Sequence, residues 1–142
     1  MKNKIAILIV AFFIGMIQTY AQNGNYNINP NTKQVTNLDV RYDFNYVYSY
    51  DFDLNRQTSE IYPADCIVII NISDDGTGKL ITSMDGQKGV LTLVSCYRYD
   101  TYYLFNLLNP KGHQTTAKMN IANGHIDKFW IIKDDNIALV FM

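Results

Sequence analysis

Residues 38–54 constrain the fold more than any other part of the chain. Leu38, Val40, Tyr42, Phe44, Tyr46, Tyr48, Tyr50, Phe52 and Leu54 take every even position, and Asp39, Arg41, Asp43, Asn45, Ser49, Asp51 and Asp53 take most of the odd ones. Successive side chains of a β-strand point to opposite faces, so a period of two predicts a strand with one aromatic face and one wet face. At a rise of ~3.3 Å per residue such a strand would reach ~55 Å, longer than a compact domain of this size. The run must bend, coil around a barrel or fold back, and Asn45 is its most turn-tolerant interior position.

The remainder reads as short apolar runs at 66–73, 79–84, 90–99, 102–108, 115–121, 126–133 and 137–142. Turn-forming segments separate them, among them Asp74-Asp75-Gly76-Thr77-Gly78, Asp85-Gly86, Asn109-Pro110-Lys111-Gly112-His113 and Asn123-Gly124. Gly, Asn and Asp supply the positive φ angles that hairpins need. Connections this short join antiparallel neighbours and cannot join parallel ones. Branched and aromatic residues prevail and Glu60 is the single Glu, a composition that favours strands over helices. The expected fold is all-β: an antiparallel meander of about eight strands, closed or partly closed into a barrel, with a two-sheet β-sandwich as the alternative. Several runs (67–70, 90–94, 102–108, 129–132 and 138–142) are apolar at both parities. Such strands are covered on both faces, line a cavity or meet a partner.

Residues 1–21 carry the features of an export signal. Lys2 and Lys4 precede an apolar run from Ile5 to Ile17, and Ala21 ends the segment. That run is ~20 Å long as a helix, short of a ~30 Å hydrocarbon core, so it reads as a cleavable signal peptide and not as an anchor. The mature protein is therefore expected to be periplasmic or secreted, with no integral membrane span. Removing Lys2 and Lys4 takes the formal net charge from −1 to −3. With basic residues scattered and no basic stripe, nucleic acid is not an expected partner. Residues 22–37 are polar and Asn-rich and read as an N-terminal tail, leaving 38–142 as one all-β domain.

Cys66 and Cys96 present a conflict. An oxidising compartment favours a disulfide between them, but consecutive antiparallel strands place them ~20 Å apart, and a bridge needs Cα atoms within ~7 Å. The meander predicts two buried free thiols.

Catalytic patterns are sparse. Asn71-x-Ser73-x-Asp75-Gly76 resembles the start of a calcium loop, but Thr82 stands where a bidentate Glu belongs, and turn chemistry explains the aspartates. His113 and His125 sit beside glycines without metal-site spacing. A Cys–His nucleophile lacks a Gly-rich oxyanion context, and a glycosidase pair would have to be built from Asp. No enzyme, metal or cofactor is expected.

The aromatic stripe carries the functional expectation. Tyr42, Phe44, Tyr46, Tyr48 and Tyr50, with Trp130, are either an inward core face or the lining of a ligand site, since rings stack on apolar surfaces and Tyr hydroxyls hydrogen-bond. The leading reading is an exported, non-enzymatic barrel-like binding protein for an apolar or sugar-like small molecule or carbohydrate. The alternative is a protein-interaction module, such as an inhibitor, an immunity-type factor or a surface-assembly subunit, with an apolar patch rimmed by Asp39, Asp43, Asp51 and Asp53. An enclosed cavity favours the first reading; a filled interior with an apolar outer face favours the second.

Overall fold

The computed structural model describes residues 26–132 and 136–142. The segment read as a signal peptide lies outside the described residues. Eight strands follow one another as an antiparallel meander: β3 (Leu38–Asp51), β5 (Tyr62–Ile72), β6 (Gly78–Met84), β7 (Gln87–Arg98), β8 (Tyr102–Leu108), β9 (Gln114–Ala122), β10 (His125–Ile132) and β11 (Ile137–Phe141). Strand β11 pairs back onto β3, which closes the barrel and removes the free sheet edges that a sandwich would leave. The short β4 (Arg56–Gln57) pairs with the end of β3, and β1 (Asn27–Ile28) and β2 (Val35–Thr36) form a separate small sheet.

The turns follow from the residues that make them. Asp85 and Gly86 between β6 and β7 have φ of 50° and 86°, and Asn123 and Gly124 between β9 and β10 have 53° and 78°. Two successive positive φ angles match the right-handed twist of the flanking strands, so these hairpins close without splaying. Between β5 and β6 the Asp75 carboxylate accepts hydrogen bonds from the Ser73 hydroxyl (2.6 Å), the Thr77 amide (2.9 Å) and the Thr77 hydroxyl (2.7 Å). The calcium-like fragment is thus a turn whose carboxylate is occupied by its own loop.

The long alternating run resolves by coiling around the barrel. Leu38 to Phe44 pair with β5 alone; past the bulge Tyr46 and Val47 still pair with β5, while Val47 to Asp51 pair with β11. Between these halves the amides of Asn45 and Tyr46 both donate to the Met142 carbonyl, at 3.0 and 2.9 Å. Two residues opposing one make a β-bulge, and the register against β5 shifts at the same place. Phe44 and Val47 are buried in the same core cluster, three positions apart, so the inward parity changes from even to odd. The expectation that all even positions of 38–54 share one face is therefore corrected. Further register shifts lie between Leu93 and Ser95 in β7 and between Ile126 and Lys128 in β10.

Large apolar side chains fill the barrel interior. Phe105, Phe129, Ile70, Leu80 and Leu93 are fully buried. Phe141 bridges Phe44 and Phe129, with ring centroids at 6.3 and 5.7 Å. Each such side chain contributes roughly 1.5–3 kcal/mol by leaving water.

Cys66 and Cys96 are buried free thiols within this core. Cys66 pairs with Met84 and Met84 with Gln87, so Cys96 lies nine residues further along β7, ~30 Å at the strand rise. The register that makes the barrel forbids the disulfide.

The tail reading of 22–37 needs correction over its described part. Asn29 organises a turn: its side-chain carbonyl accepts the amides of Asn31 and Thr32, at 2.9 and 3.1 Å. Val35 is completely buried, and Gln34 bridges to Tyr97 of β7. The Tyr26 ring packs edge-on to Tyr103, and the Tyr103 hydroxyl donates to the Tyr26 hydroxyl (3.1 Å). Two apolar anchors offset the ordering cost of a segment whose asparagines serve as turn formers.

Candidate functional site

The bulge at Asn45–Tyr46 divides the sequence-predicted ligand residues into two groups. Tyr42 and Phe44 precede it and point into the barrel core. Tyr46, Tyr48, Tyr50 and Trp130 do not join them, because the parity change turns the later tyrosines outward. The single site expected from the stripe is corrected to an outer aromatic cluster plus two interior residues.

The outer cluster follows from register. Tyr48 pairs with Val140, which pairs with Trp130; Tyr50 pairs with Ala138, which pairs with Ile132. The middle strand β11 thus presents small side chains, flanked by large ones from β3 and β10. The flanking rings close above it. Trp130 and Tyr50 meet edge to face, with centroids 5.4 Å apart, and Phe52 lies 5.2 Å from Tyr50 and 6.1 Å from Trp130. Beneath these rings Ala138 and Val140 are fully buried, although they lie on the outside of the barrel. Edge-to-face pairs of this kind contribute ~0.5–1.5 kcal/mol beyond area burial.

Exposure across the cluster is uneven. Tyr48 is only 6% exposed, whereas Tyr46 is 45% and Phe52 43% exposed. The Lys128 ammonium donates to the Tyr48 hydroxyl (3.3 Å), and the Tyr50 hydroxyl donates to the Asn55 side-chain carbonyl (2.6 Å). The Trp130 indole N–H is shielded from solvent and has no hydrogen-bond acceptor among the described residues. At the cluster's edge the Asp51 carboxylate accepts the amides of Asp53 and Leu54 (2.9 and 3.0 Å), tying down the turn that carries Phe52. Asp39 and Asp43 belong to the half of β3 paired with β5 and do not rim the cluster.

Ile132, Ala138, Val140 and Met142 were not among the predicted site residues, and Phe52, at the end of the aromatic stripe, was not singled out as a ligand residue. The stripe itself was the signal for Phe52, and the alternation of Ala138, Val140 and Met142 the signal for the last strand.

Beside Tyr26, Tyr103 is buried and Tyr42 is half-buried against the core. Desolvation pushes both phenols above their ordinary range, and the neighbouring Tyr26 adds to the effect. These hydroxyls stay protonated and act as hydrogen-bonding groups, not as bases. His113 lies in the β8–β9 turn and His125 begins β10 after the β9–β10 turn, at opposite ends of β9. Nine residues of strand separate them by ~30 Å, too far to share a metal ion or a proton. No group of three or more His, Cys, Asp or Glu among the described residues is placed to hold a metal, and no described helix is long and apolar enough to cross a membrane.

No protein-family model matches the chain, and neither a curated protein nor a solved structure gives a match.

Proposed function

We propose that this protein is an exported, non-enzymatic interaction module that works from the outside of its barrel. It docks a partner protein on the aromatic face built by β3, β10 and β11. The observation that carries this reading is the division of aromatic residues: phenylalanines fill the interior, while Tyr46, Tyr50, Phe52 and Trp130 gather on one outer face. Inside the barrel, bulky side chains such as Phe105 and Phe129 are fully buried, which favours a packed core over a ligand chamber. An outer face of tyrosine and tryptophan, partly exposed, has the residue types that anchor protein interfaces. The indole N–H of Trp130, lacking an acceptor among the described residues, adds a polar group that a partner carbonyl would satisfy after a small ring rotation.

Site-specific photo-crosslinking tests the proposal. A benzophenone side chain replaces Tyr46 or Phe52, with Val90 on β7 as the control half-way round the barrel. The protein is expressed in the cells it comes from. A discrete adduct from positions 46 and 52 that is absent from position 90 supports the assignment. No adduct, or the same adduct from all three positions, overturns it.

A further inference from the structure

A second concave surface lies at the end of the barrel, where the β1–β2 hairpin docks beside the β7–β8 turn. The Arg98 amide donates to the Lys33 carbonyl (2.9 Å). The space left between hairpin and turn is an open cleft of about 600 Å³, lined by Tyr26, Ile28, Lys33, Arg98, Tyr99 and Tyr102. It shares no residue with the outer aromatic cluster.

The cleft combines two cations, Arg98 and Lys33, with the rings of Tyr26, Tyr99 and Tyr102. The Arg98 guanidinium sits 5.1 Å from the centre of the Tyr103 ring, and its Nη1 donates to the carbonyls of Tyr99 and of Asp100, the latter at 3.2 Å. These contacts fix the plane of the group while using one of its three nitrogens. Its Nε and Nη2 hydrogens meet no acceptor among the described residues. Lys33 lines the same cleft from a left-handed turn (φ 69°) and makes no ion pair among the described residues. Asp100 is the one carboxylate in the wall, so cations outnumber it in a chain that is acidic as a whole. Tyr99 and Tyr102 lie 5.0 Å apart with planes 35° from parallel, and the Lys118 ammonium is 4.7 Å from the Tyr102 ring centre.

We infer that this cleft binds one unit of an acidic saccharide chain, its carboxylate on Arg98 and Lys33 and its C–H face against Tyr99 and Tyr102. A pre-oriented guanidinium recognises a carboxylate through paired N–H donors. Flat phenol faces suit the apolar face of a pyranose while their hydroxyls serve its rim. The cleft is open to solvent, whereas sites for isolated small molecules enclose most of the ligand surface. An open site suits a chain that runs through it.

The test is a titration of the mature protein with tetragalacturonate, followed by backbone amide shifts and calorimetry. Saturable binding is expected, with the largest shifts at Lys33, Arg98, Tyr99 and Tyr102. The methyl-esterified tetramer, which keeps the rings and loses the charge, should bind about tenfold or more weakly, as should Lys33→Gln and Tyr99→Ala, two exposed positions that leave the core untouched. A tetraglutamate peptide binding as well as the saccharide would show a site that reads charge alone and overturn the inference. Shifts centred on Tyr46 or Phe52, or none at millimolar tetramer, would overturn it too. Photo-crosslinking at the outer cluster is independent of every one of these outcomes.

Discussion

Tyr50 and Trp130 meet edge to face across strand β11, ring centroids 5.4 Å apart and planes at 80°, above the small side chains of Ala138 and Val140. This contact gives the barrel a second, smaller apolar cluster on its outer surface. It joins the first long strand to the last two, the seam where the barrel closes. Structure and candidate function therefore meet in the same residues, and substitutions can separate them.

Tyr48→Ala removes a ring that is almost fully covered, and a loss of about 2–4 kcal/mol is expected from transfer and cavity terms. Tyr46→Ala removes a ring nearly half exposed, so stability should stay within about 0.5 kcal/mol while crosslinking at Phe52 weakens. Chemical denaturation of both variants checks the contrast. Equal destabilisation would show that Tyr46 belongs to the packed structure.

The interior should behave as a close-packed core. Phe129→Ala leaves a hole between Phe141 and the opposite wall, and about 3–5 kcal/mol of stability should be lost. A much smaller loss would indicate space inside the barrel and revive an internal ligand site.

Both thiols should be silent in the folded protein and present in the unfolded one. Burial raises the Cys66 thiol to about 11, with help from the Asp85 and Asp65 carboxylates, and burial alone raises Cys96 to about 12. Thiolate is the reactive form, so a thiol reagent at neutral pH should find nothing until denaturant is added. Two thiols should then titrate without reductant. None would mean that a bridge forms and the strand register is different.

Gly78 holds the β5–β6 pairing by lacking a side chain. A Cβ placed there would stand 1.8 Å from the Asn71 carbonyl oxygen and 2.8 Å from its carbon. Gly78→Ala must push two paired strands apart, at a cost of about 1–3 kcal/mol or more. Thermal unfolding measures the loss; an unchanged midpoint would refute the close approach.

Asp75 should titrate low. Hydrogen bonds from the Ser73 side chain, then from the Thr77 amide and hydroxyl, bring its carboxyl down to about 2 from an ordinary 3.8. A depressed folded-state value means that the stabilisation is fully present above the ordinary value and disappears as pH falls through about 2. Carboxyl carbon NMR reads the midpoint, and a value near 3.8 would mean that the turn leaves the carboxylate unbonded.

Much of this molecule was written in its sequence. Turn residues such as Asp85-Gly86 and Asn123-Gly124 dictate where strands end, because few other residues accept those φ angles. Antiparallel order follows from connections too short for anything else, and with it the separation of Cys66 from Cys96. Which way the aromatic rings face was decided only in three dimensions. Tyr is at home on either side of a sheet, so an unbroken row of tyrosines conceals the bulge at Asn45–Tyr46 that turns Tyr46, Tyr48 and Tyr50 outward. That bulge forms where β3 gains β11 as its second neighbour and meets the carbonyl of Met142, nearly a hundred residues away. The docking of Val35 and Tyr26 onto the barrel was equally hidden, since local composition cannot reveal a surface assembled from distant strands. Local preferences set the elements; closing them into a barrel chose the inside.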